Sequence, residues 1–215
     1  SVYVWLVGGT YLIGFRGEVN ADPENPVTVR LDAIGTGAPA TDGARRDGIL
    51  DVSIAPARVD DALADRARVI ATDVARALDY RGVLCVEMFV TRGGEILVNE
   101  MAPRPHNSGH YTIDACATSQ FEQQARVLAG LPLGDPRQHE PAVMVNLLGD
   151  IWFTAAGGAA REPDWTRVLV HPGAKLHLYG KAQARPGRKM GHITVTAASA
   201  AQADAVAREA AARLG

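Results

Sequence analysis

Two glutamates in a predicted β-hairpin are the residues best suited to binding a metal ion. Two runs of β-forming residues, 83–90 and 95–100, flank the dipeptide Gly93-Gly94, which is a favoured two-residue hairpin turn. A turn at these glycines places Glu87 directly opposite Glu100. The same register predicts two further opposed pairs, Val90 with Leu97 and Phe89 with Val98.

The opposed pair of Glu87 and Glu100 needs a positive charge between its carboxylates. Like charges that face each other across two strands are destabilising unless something neutralises them. A divalent cation is the simplest remedy, and carboxylate oxygens combined with substrate phosphates suit Mg²⁺. Two alternatives stay open. A register shifted by one residue would place the carboxylates on opposite faces, or one of them forms a surface ion pair with Arg92 or Arg104.

A group of polar side chains follows the second glutamate strand in a loop interrupted by prolines. Pro103, Pro105 and Gly109 break regular structure here, and a loop at a strand end is a good place for functional groups. Arginine offers a planar fork to a carboxylate-like or phosphate anion. Histidine and asparagine position or protonate a small oxyanion beside a metal. The candidate residues are Arg104, His106, Asn107 and His110.

These segments closely resemble one enzyme family, the N5-carboxyaminoimidazole ribonucleotide synthetases, which are ATP-grasp ligases of purine biosynthesis. The family is also described as the ATPase subunit of phosphoribosylaminoimidazole carboxylase. A two-glutamate hairpin is shared by many ATP-grasp enzymes, whereas the run Arg-Pro-His-Asn-Ser-Gly-His that begins at Arg104 is highly specific. The resembling segments are residues 46–50, 53–57, 87–90, 98–116, 118–123, 178–181 and 185–192.

The resemblance implies a reaction and a set of ligands. Enzymes of this family use ATP and bicarbonate to carboxylate the exocyclic amine of 5-aminoimidazole ribonucleotide through carboxyphosphate. It implies Mg²⁺, with Mn²⁺ as an alternative, and a homodimer. The resemblance implies that Glu87 and Glu100 coordinate the metal and that Asn99 and Glu100 contact the nucleotide. It implies that Arg104, His106 and Asn107 make the catalytic contacts with bicarbonate or carboxyphosphate. It also implies that Lys181 and Arg188 bind the ribonucleotide phosphate.

Lys181 and Arg188 lie in a stretch with three further basic residues, Lys175, Arg185 and Lys189. Taken by itself, such a cluster among glycines and prolines is more often a solvated loop than a binding site. The formal net charge of −2 and the pI of about 6.3 argue against a nucleic-acid-binding protein. The resemblance favours a phosphate ligand for this cluster.

The composition is that of an ordinary soluble globular protein. Of the 215 residues, 47% are hydrophobic and 21% are charged. The apolar opening, residues 2–7, is cut by Gly8 and Gly9 and lacks the length and basic lead-in of a membrane span or signal peptide. Cys85 and Cys116 have no metal-ligand spacing, and we interpret them as reduced, buried thiols. We therefore expect a cytoplasmic protein with no membrane partner.

The pattern of helices and strands predicts an α+β fold with antiparallel hairpins rather than alternating parallel units. An apolar stripe predicts a helix over residues 60–80, and Ser119 with Glu122 forms a capping box for a second helix that ends near Gly130. The stripe consists of Leu63, Ala67, Ile70, Val74 and Leu78. The remaining predicted elements are a linker at 131–136, strands at 142–148, 175–179 and 192–196, and a helix at 202–214.

These elements predict part of an ATP-grasp domain, with an antiparallel sheet and packed helices, followed by a small carboxyl-terminal β-rich domain. Residues 46–135 form the ATP-grasp portion with the metal and bicarbonate site, and residues 136–215 form the small domain. Residues 1–45 are unassigned, because no stretch of them aligns with the family.

The amino-terminal ATP-binding elements of the family are not recognisable in the sequence. These elements are a glycine-rich loop, two ATP-contacting lysines and an adenine-binding Glu-Lys-x-Val segment. Gly8 and Gly9 do not replace them, because no helix start or lysine follows. Two hypotheses follow. The chain is either the carboxyl-terminal part of the synthetase, with the rest supplied elsewhere, or a non-catalytic module that retains the fold and phosphate-ligand binding.

Four other histidines, His139, His171, His177 and His192, are scattered along the sequence without partners at ligand spacing. We interpret them as hydrogen-bonded polar residues rather than metal ligands. Asp114 either orients a neighbouring group or caps the next helix, and the cap is the preferred interpretation.

Overall fold

A computed structural model describes residues 2–7, 10–18, 28–32, 42–46, 49–91, 94–153 and 159–214, with side chains described from Val52 onward. The strands of this part are β1 (Val2–Val7), β2 (Thr10–Glu18), β3 (Thr28–Asp32), β4 (Asp42–Arg46), β5 (Ile49–Ala55), β6 (Gly82–Val83), β7 (Cys85–Val90), β8 (Ile96–Ala102), β9 (Ala142–Leu148), β10 (Ala174–Leu178) and β11 (Lys189–Thr196). The helices are α1 (Asp61–Ala77), α2 (Thr112–Ala115), α3 (Gln120–Leu128), α4 (Thr166–Leu169) and α5 (Ala200–Ala212).

The strands form three antiparallel sheets, which confirms the predicted α+β class. The strand orders are β3-β2-β1-β6, β10-β11-β9-β5-β4 and β7-β8. In the second sheet, β9 lies between β11 and β5 and pairs with both. Strands from both sides of residue 135 therefore share one sheet. The boundary between two domains at residue 135 stays a prediction.

Helix α1 packs on one face of β7. The Asp60 side chain caps the helix by accepting a 2.7 Å hydrogen bond from the Leu63 backbone N–H. Its buried face consists of the alanines Ala64, Ala67, Ala71 and Ala75, which contact Val86, Met88 and Val90. Successive side chains of a strand point to opposite faces, so Cys85 and Glu87 lie on the face away from α1.

Helix α3 begins at the predicted cap, where Ser119 Oγ accepts a 3.2 Å hydrogen bond from the Glu122 backbone N–H. The buried side chains of this helix are two glutamines, whereas Phe121 and Leu128 are exposed. Gln123 exchanges two hydrogen bonds with the backbone of Gly134, at 2.7 and 3.0 Å. The helix therefore attaches to its surroundings through amide hydrogen bonds as well as apolar contacts.

The remaining predicted elements all form. Strand β9 has the predicted bounds, β10 and α5 are displaced by one or two residues, and β11 begins earlier, at Lys189. Alanines of α5 pack on β9 and β11 in an apolar core with Val143, Ile193 and Val195. Within the described residues, no helix combines the length and the apolar character needed to cross a membrane.

Candidate active site

The β7–β8 hairpin confirms that Glu87 pairs with Glu100, but by a different route from the one predicted. The hairpin closes at Thr91 and Glu95, where the Thr91 N–H donates to the Glu95 carbonyl at 2.9 Å. Gly94 has φ of +79°, which suits a three-residue loop. The predicted two-residue turn at Gly93-Gly94 is therefore wrong.

The turn contains one residue more than predicted, and a β-bulge at Asn99 compensates for the resulting change of register. Between the turn and the bulge the register differs by one from the prediction, so the predicted pairs Val90 with Leu97 and Phe89 with Val98 are wrong. The observed pairs are Val90 with Ile96, Phe89 with Leu97 and Met88 with Val98. A bulge opposes two residues of one strand to one of the other, which restores the predicted register at Glu87.

Glu87 and Glu100 lie on the same face of the hairpin, because directly opposed residues of an antiparallel pair point the same way. This excludes the opposite-face alternative. Glu87 is only 1% exposed, whereas Glu100 is exposed. The bulged Asn99 donates a 3.2 Å hydrogen bond from Nδ2 to Glu87 Oε2. Arg104 Nη1 donates to the Pro105 carbonyl at 3.1 Å.

The loop after β8 is held by a side chain from α3. The His106 backbone N–H donates to Gln120 Oε1 at 2.9 Å, and Gln120 Nε2 donates to the His106 carbonyl at 2.9 Å. His106 Nδ1 lies 3.9 Å from Glu87 Oε1 and 3.1 Å from Ser108 Oγ. The structure thus brings His106 from the predicted anion loop to the predicted metal-binding carboxylate.

Asn107 joins the same loop to the five-stranded sheet. Its Nδ2 donates to Asn146 Oδ1 at 2.8 Å, and Asn146 Nδ2 donates back to Asn107 Oδ1 at 2.8 Å. The Asn107 amide also donates to Tyr179 Oη at 3.3 Å. Asn146 is 4% exposed on β9, so these bonds satisfy a polar side chain in an otherwise apolar strand.

Three histidines that are distant in sequence form one cluster behind this loop. The rings of His177 and His192 stack with centroids 4.5 Å apart, and His110 lies 5.3 Å from His192. His192 Nδ1 hydrogen-bonds Tyr179 Oη at 2.9 Å. The prediction that the histidines are scattered is therefore wrong for His177 and His192, which lie next to each other in the structure. Strands β10 and β11 pair these two residues directly.

Asp114 lies within α2 and orients a neighbour rather than capping the next helix. Its Oδ2 is 2.7 Å from His177 Nε2. The preferred cap interpretation is wrong, because the oxygen is directed to a residue 63 positions away in sequence. Ser119 takes the cap position of α3 instead.

Burial keeps two of these histidines neutral. Desolvation lowers the pKa of His110 to about 3, assisted by the nearby positive charge of Lys189. Desolvation also lowers the pKa of His192 to about 2, assisted by His110 and His177. A neutral His192 ring offers one donor and one acceptor nitrogen, which suits the hydrogen bond to Tyr179.

The two basic residues predicted to bind phosphate lie next to this aromatic cluster. Lys181 Nζ is 5.5 Å from the centroid of the Tyr179 ring and donates to the Lys189 carbonyl. Desolvation and the neighbouring charge of Arg188 lower the pKa of Lys181. Arg188 Nη1 donates to the Gln183 carbonyl at 2.8 Å, which fixes the direction of the guanidinium.

Sequence reasoning missed four residues that hold the site together: Gln120, Asn146, Tyr179 and His192. One of them had a recognisable signal. Asn146 is the single polar residue of the apolar strand Ala142–Leu148, and a buried amide needs a specific partner. The others depend on contacts between elements far apart in sequence.

Comparisons with known proteins agree with this geometry. An ATP-grasp domain model matches residues 27–121, and a phosphoribosylaminoimidazole carboxylase C-terminal domain model matches residues 142–206. The first match includes part of the segment 1–45 that sequence analysis left unassigned. The antiparallel hairpin with its two glutamates and these matches define an ATP-grasp protein.

Individual relatives indicate which family of ATP-grasp proteins this chain resembles. The N5-carboxyaminoimidazole ribonucleotide synthase of Bacillus subtilis is 47% identical over 156 residues, which are 73% of this chain and 39% of that protein. The synthetase structure from Thermotoga maritima is 49% identical, with a TM-score of 0.68 over 75% of this chain and 44% of that one. The Aspergillus clavatus synthase, solved with ADP and 5-aminoimidazole ribonucleotide, is 32% identical, with a TM-score of 0.75 over 99% of this chain and 50% of that one.

The chain belongs to the N5-carboxyaminoimidazole ribonucleotide synthetase family, to whose carboxyl-terminal portion it corresponds. It spans about two fifths of the Bacillus relative and half of the Aspergillus chain.

Proposed function

We propose that this chain provides the metal, bicarbonate and ribonucleotide-phosphate sites of an ATP-dependent carbon–nitrogen ligase. The ligase carboxylates the exocyclic amine of 5-aminoimidazole ribonucleotide in purine biosynthesis. One observation carries the proposal: a continuous series of contacts joins Glu87, through the loop at His106 and Asn107, to Tyr179 and Lys181. The names of the Bacillus and Aspergillus relatives support the same reaction.

The metal end of the site consists of Glu87 and Glu100, with Asn99 contacting the nucleotide. Opposed carboxylates provide the oxygen ligands that Mg²⁺ prefers, and Mn²⁺ is the alternative ion. When bound, the ion neutralises charge on the ATP phosphates, which phosphoryl transfer requires. The Asn99 amide, which donates to Glu87, holds the buried carboxylate in place before any ligand arrives.

The middle of the site holds bicarbonate and the carboxyphosphate formed from it. His106 and Asn107 are partly buried; Gln120 fixes the backbone of His106 and Asn146 fixes the side chain of Asn107, so the loop is held in place before the anion binds. Arg104 is exposed at the edge of the loop, where its guanidinium can close on the anion. Carboxyphosphate is labile in water, and donors fixed in a partly desolvated pocket protect it.

The third part of the site binds the phosphate of the ribonucleotide through Lys181 and Arg188. The two positive charges lie close enough for Arg188 to lower the pKa of Lys181. A phosphate dianion between them removes this repulsion and gains charge-assisted hydrogen bonds. Tyr179 contacts both Lys181 and Asn107, which connects the phosphate part of the site to the bicarbonate part.

Phosphate release from ATP tests the proposal directly. We expect the folded protein to release phosphate only when both bicarbonate and 5-aminoimidazole ribonucleotide are present. A folded chain that binds the ribonucleotide but releases no phosphate, even when the amino-terminal ATP-binding elements of the family are supplied, is instead the non-catalytic module. A folded chain that does neither overturns both hypotheses.

Two further properties belong to the proposal because the family resemblance implies them. The protein forms a homodimer, which light scattering coupled to gel filtration tests. It acts in the cytoplasm, which fractionation of the source cells tests.

A further inference from the structure

A second set of ligand atoms lies around the buried carboxylate of Glu87. Cys85 Sγ, a Glu87 carboxylate oxygen and a His106 ring nitrogen all lie within 4.8 Å of one another. Cys85 and Glu87 are two residues apart on β7, so both side chains point to the same face. Cys85 is 0% exposed and Glu87 is 1% exposed, and the His106 side chain is 13% exposed. The proposed reaction does not use this thiol.

We propose that Cys85, Glu87 and His106 form a binding site for a thiophilic divalent metal ion such as Zn²⁺. Thiolate, imidazole and carboxylate are the ligands that zinc takes in proteins, and three of them leave a fourth position open. Mg²⁺ takes oxygen ligands, so the sulfur and nitrogen atoms select against it. The donor set therefore differs in chemistry from the magnesium site although it shares Glu87.

The separations of these atoms suit a tetrahedral ion after small side-chain shifts. Metal–ligand distances of about 2.0–2.3 Å place ligand atoms roughly 3.3–3.8 Å apart. His106 Nδ1 and Glu87 Oε1 are 3.9 Å apart. Coordination through Nδ1 replaces the 3.1 Å hydrogen bond to Ser108 Oγ. The backbone of His106 stays fixed by Gln120, so only side-chain torsions need to change.

Metal binding converts the Cys85 thiol to a thiolate, and its proton passes to solvent. The proposed function adds one consequence. Because Glu87 would serve both metals, zinc and the magnesium nucleotide exclude each other. This consequence rests on the proposed function, whereas zinc binding itself does not.

Titration with Co²⁺ tests the site without any assay of activity. Cobalt bound to a thiolate gives a sulfur-to-metal charge-transfer absorption in the near ultraviolet, and zinc removes this absorption by displacing cobalt. We expect the wild-type chain to show the band and Cys85→Ser to lose it. Cys116→Ser is the matched control, because Cys116 is also a buried cysteine but does not belong to the ligand group. This control should keep the band.

A second measurement covers the case in which Cys85→Ser does not fold. Zinc that binds the native state raises the melting temperature. We expect this rise in the wild type and in Cys116→Ser, and an affinity for Co²⁺ at least tenfold weaker in His106→Ala. A folded wild type without the cobalt band overturns the proposal. So does a band that persists in Cys85→Ser, or unchanged affinity in His106→Ala. Loss of ligase activity has no bearing on these readouts.

Discussion

Asn107 and Asn146 form a reciprocal amide pair, in which each side chain donates a 2.8 Å hydrogen bond to the other. One asparagine lies in the anion loop and the other on the central strand β9, 39 positions away in sequence. The pair attaches the loop to the sheet, because both amides are fully oriented by two bonds. Through this pair, the five-stranded sheet that contains β9 positions the loop that follows β8.

Replacing Asn146 by alanine should destabilise the protein by about 1–3 kcal/mol, because the Asn107 amide loses both of its hydrogen bonds to Asn146 and keeps only the one to Tyr179. Urea denaturation followed by circular dichroism measures the change. In a double-mutant cycle, Asn107→Ala and Asn146→Ala should couple by about 0.5–3 kcal/mol. Gln123→Ala provides the control, since Gln123 bonds Gly134 instead. Additive effects of the two asparagine substitutions would contradict the pair.

Replacing Glu100 by glutamine should abolish magnesium-dependent nucleotide binding and leave the melting temperature without metal almost unchanged. Glu100 is exposed, so its carboxylate contributes little to the apo fold. Calorimetry with and without Mg²⁺ measures the first effect, and a thermal melt measures the second. Glu95→Gln, at an exposed position of the same hairpin, is the matched control. A large loss of apo stability would assign Glu100 a structural role.

The free energy of unfolding should fall as the pH is lowered from about 6.5 towards 3. Burial lowers the pKa of His110 to about 3 and that of His192 to about 2. The same histidines titrate near 6.5 in the unfolded chain, so the unfolded state binds more protons in this range. Each neutral histidine contributes a slope of about 1.4 kcal/mol per pH unit once its unfolded form is protonated.

Substitution of single histidines separates this effect from general acid denaturation. His192→Asn should reduce the slope, while His139→Asn, at an exposed position, should leave it unchanged. Urea unfolding at several pH values between 4 and 7.5, roughly spanning this range, measures both. Equal slopes in the wild type and His192→Asn would show that His192 is protonated in the native state.

Replacing Arg188 by alanine should weaken binding of 5-aminoimidazole ribonucleotide by about 1.5–3 kcal/mol and leave ATP binding nearly unchanged. The reason is that one charge-assisted hydrogen bond to the ribonucleotide phosphate is lost. Calorimetric titration of each ligand measures the difference. Arg185→Ala controls for the general charge of the loop, because Arg185 is an exposed arginine three residues earlier. An equal loss for both ligands would exclude the phosphate assignment.

Local chemistry along the sequence was sufficient to predict several features of this protein. Hairpin propensity pairs β7 with β8, the prolines keep residues after β8 in a loop, and Ser119 caps α3. Each depends on residues within about a dozen positions of one another, where backbone preferences and side-chain caps decide the outcome. The roles of Lys181 and Arg188 came from the family resemblance, since their local surroundings also suit a solvated loop.

Only the tertiary structure decided the turn length, the bulge at Asn99 and the histidine cluster. The longer turn shifts the register by one residue, and the bulge shifts it back. The alternation of side chains along the strands fits a hairpin with both features as well as a hairpin with neither, so it cannot distinguish the two. Asp114 meets His177 because α2 packs against the sheet in which β10 pairs with β11. Such contacts depend on how complete sheets and helices pack, which no short segment of the sequence specifies.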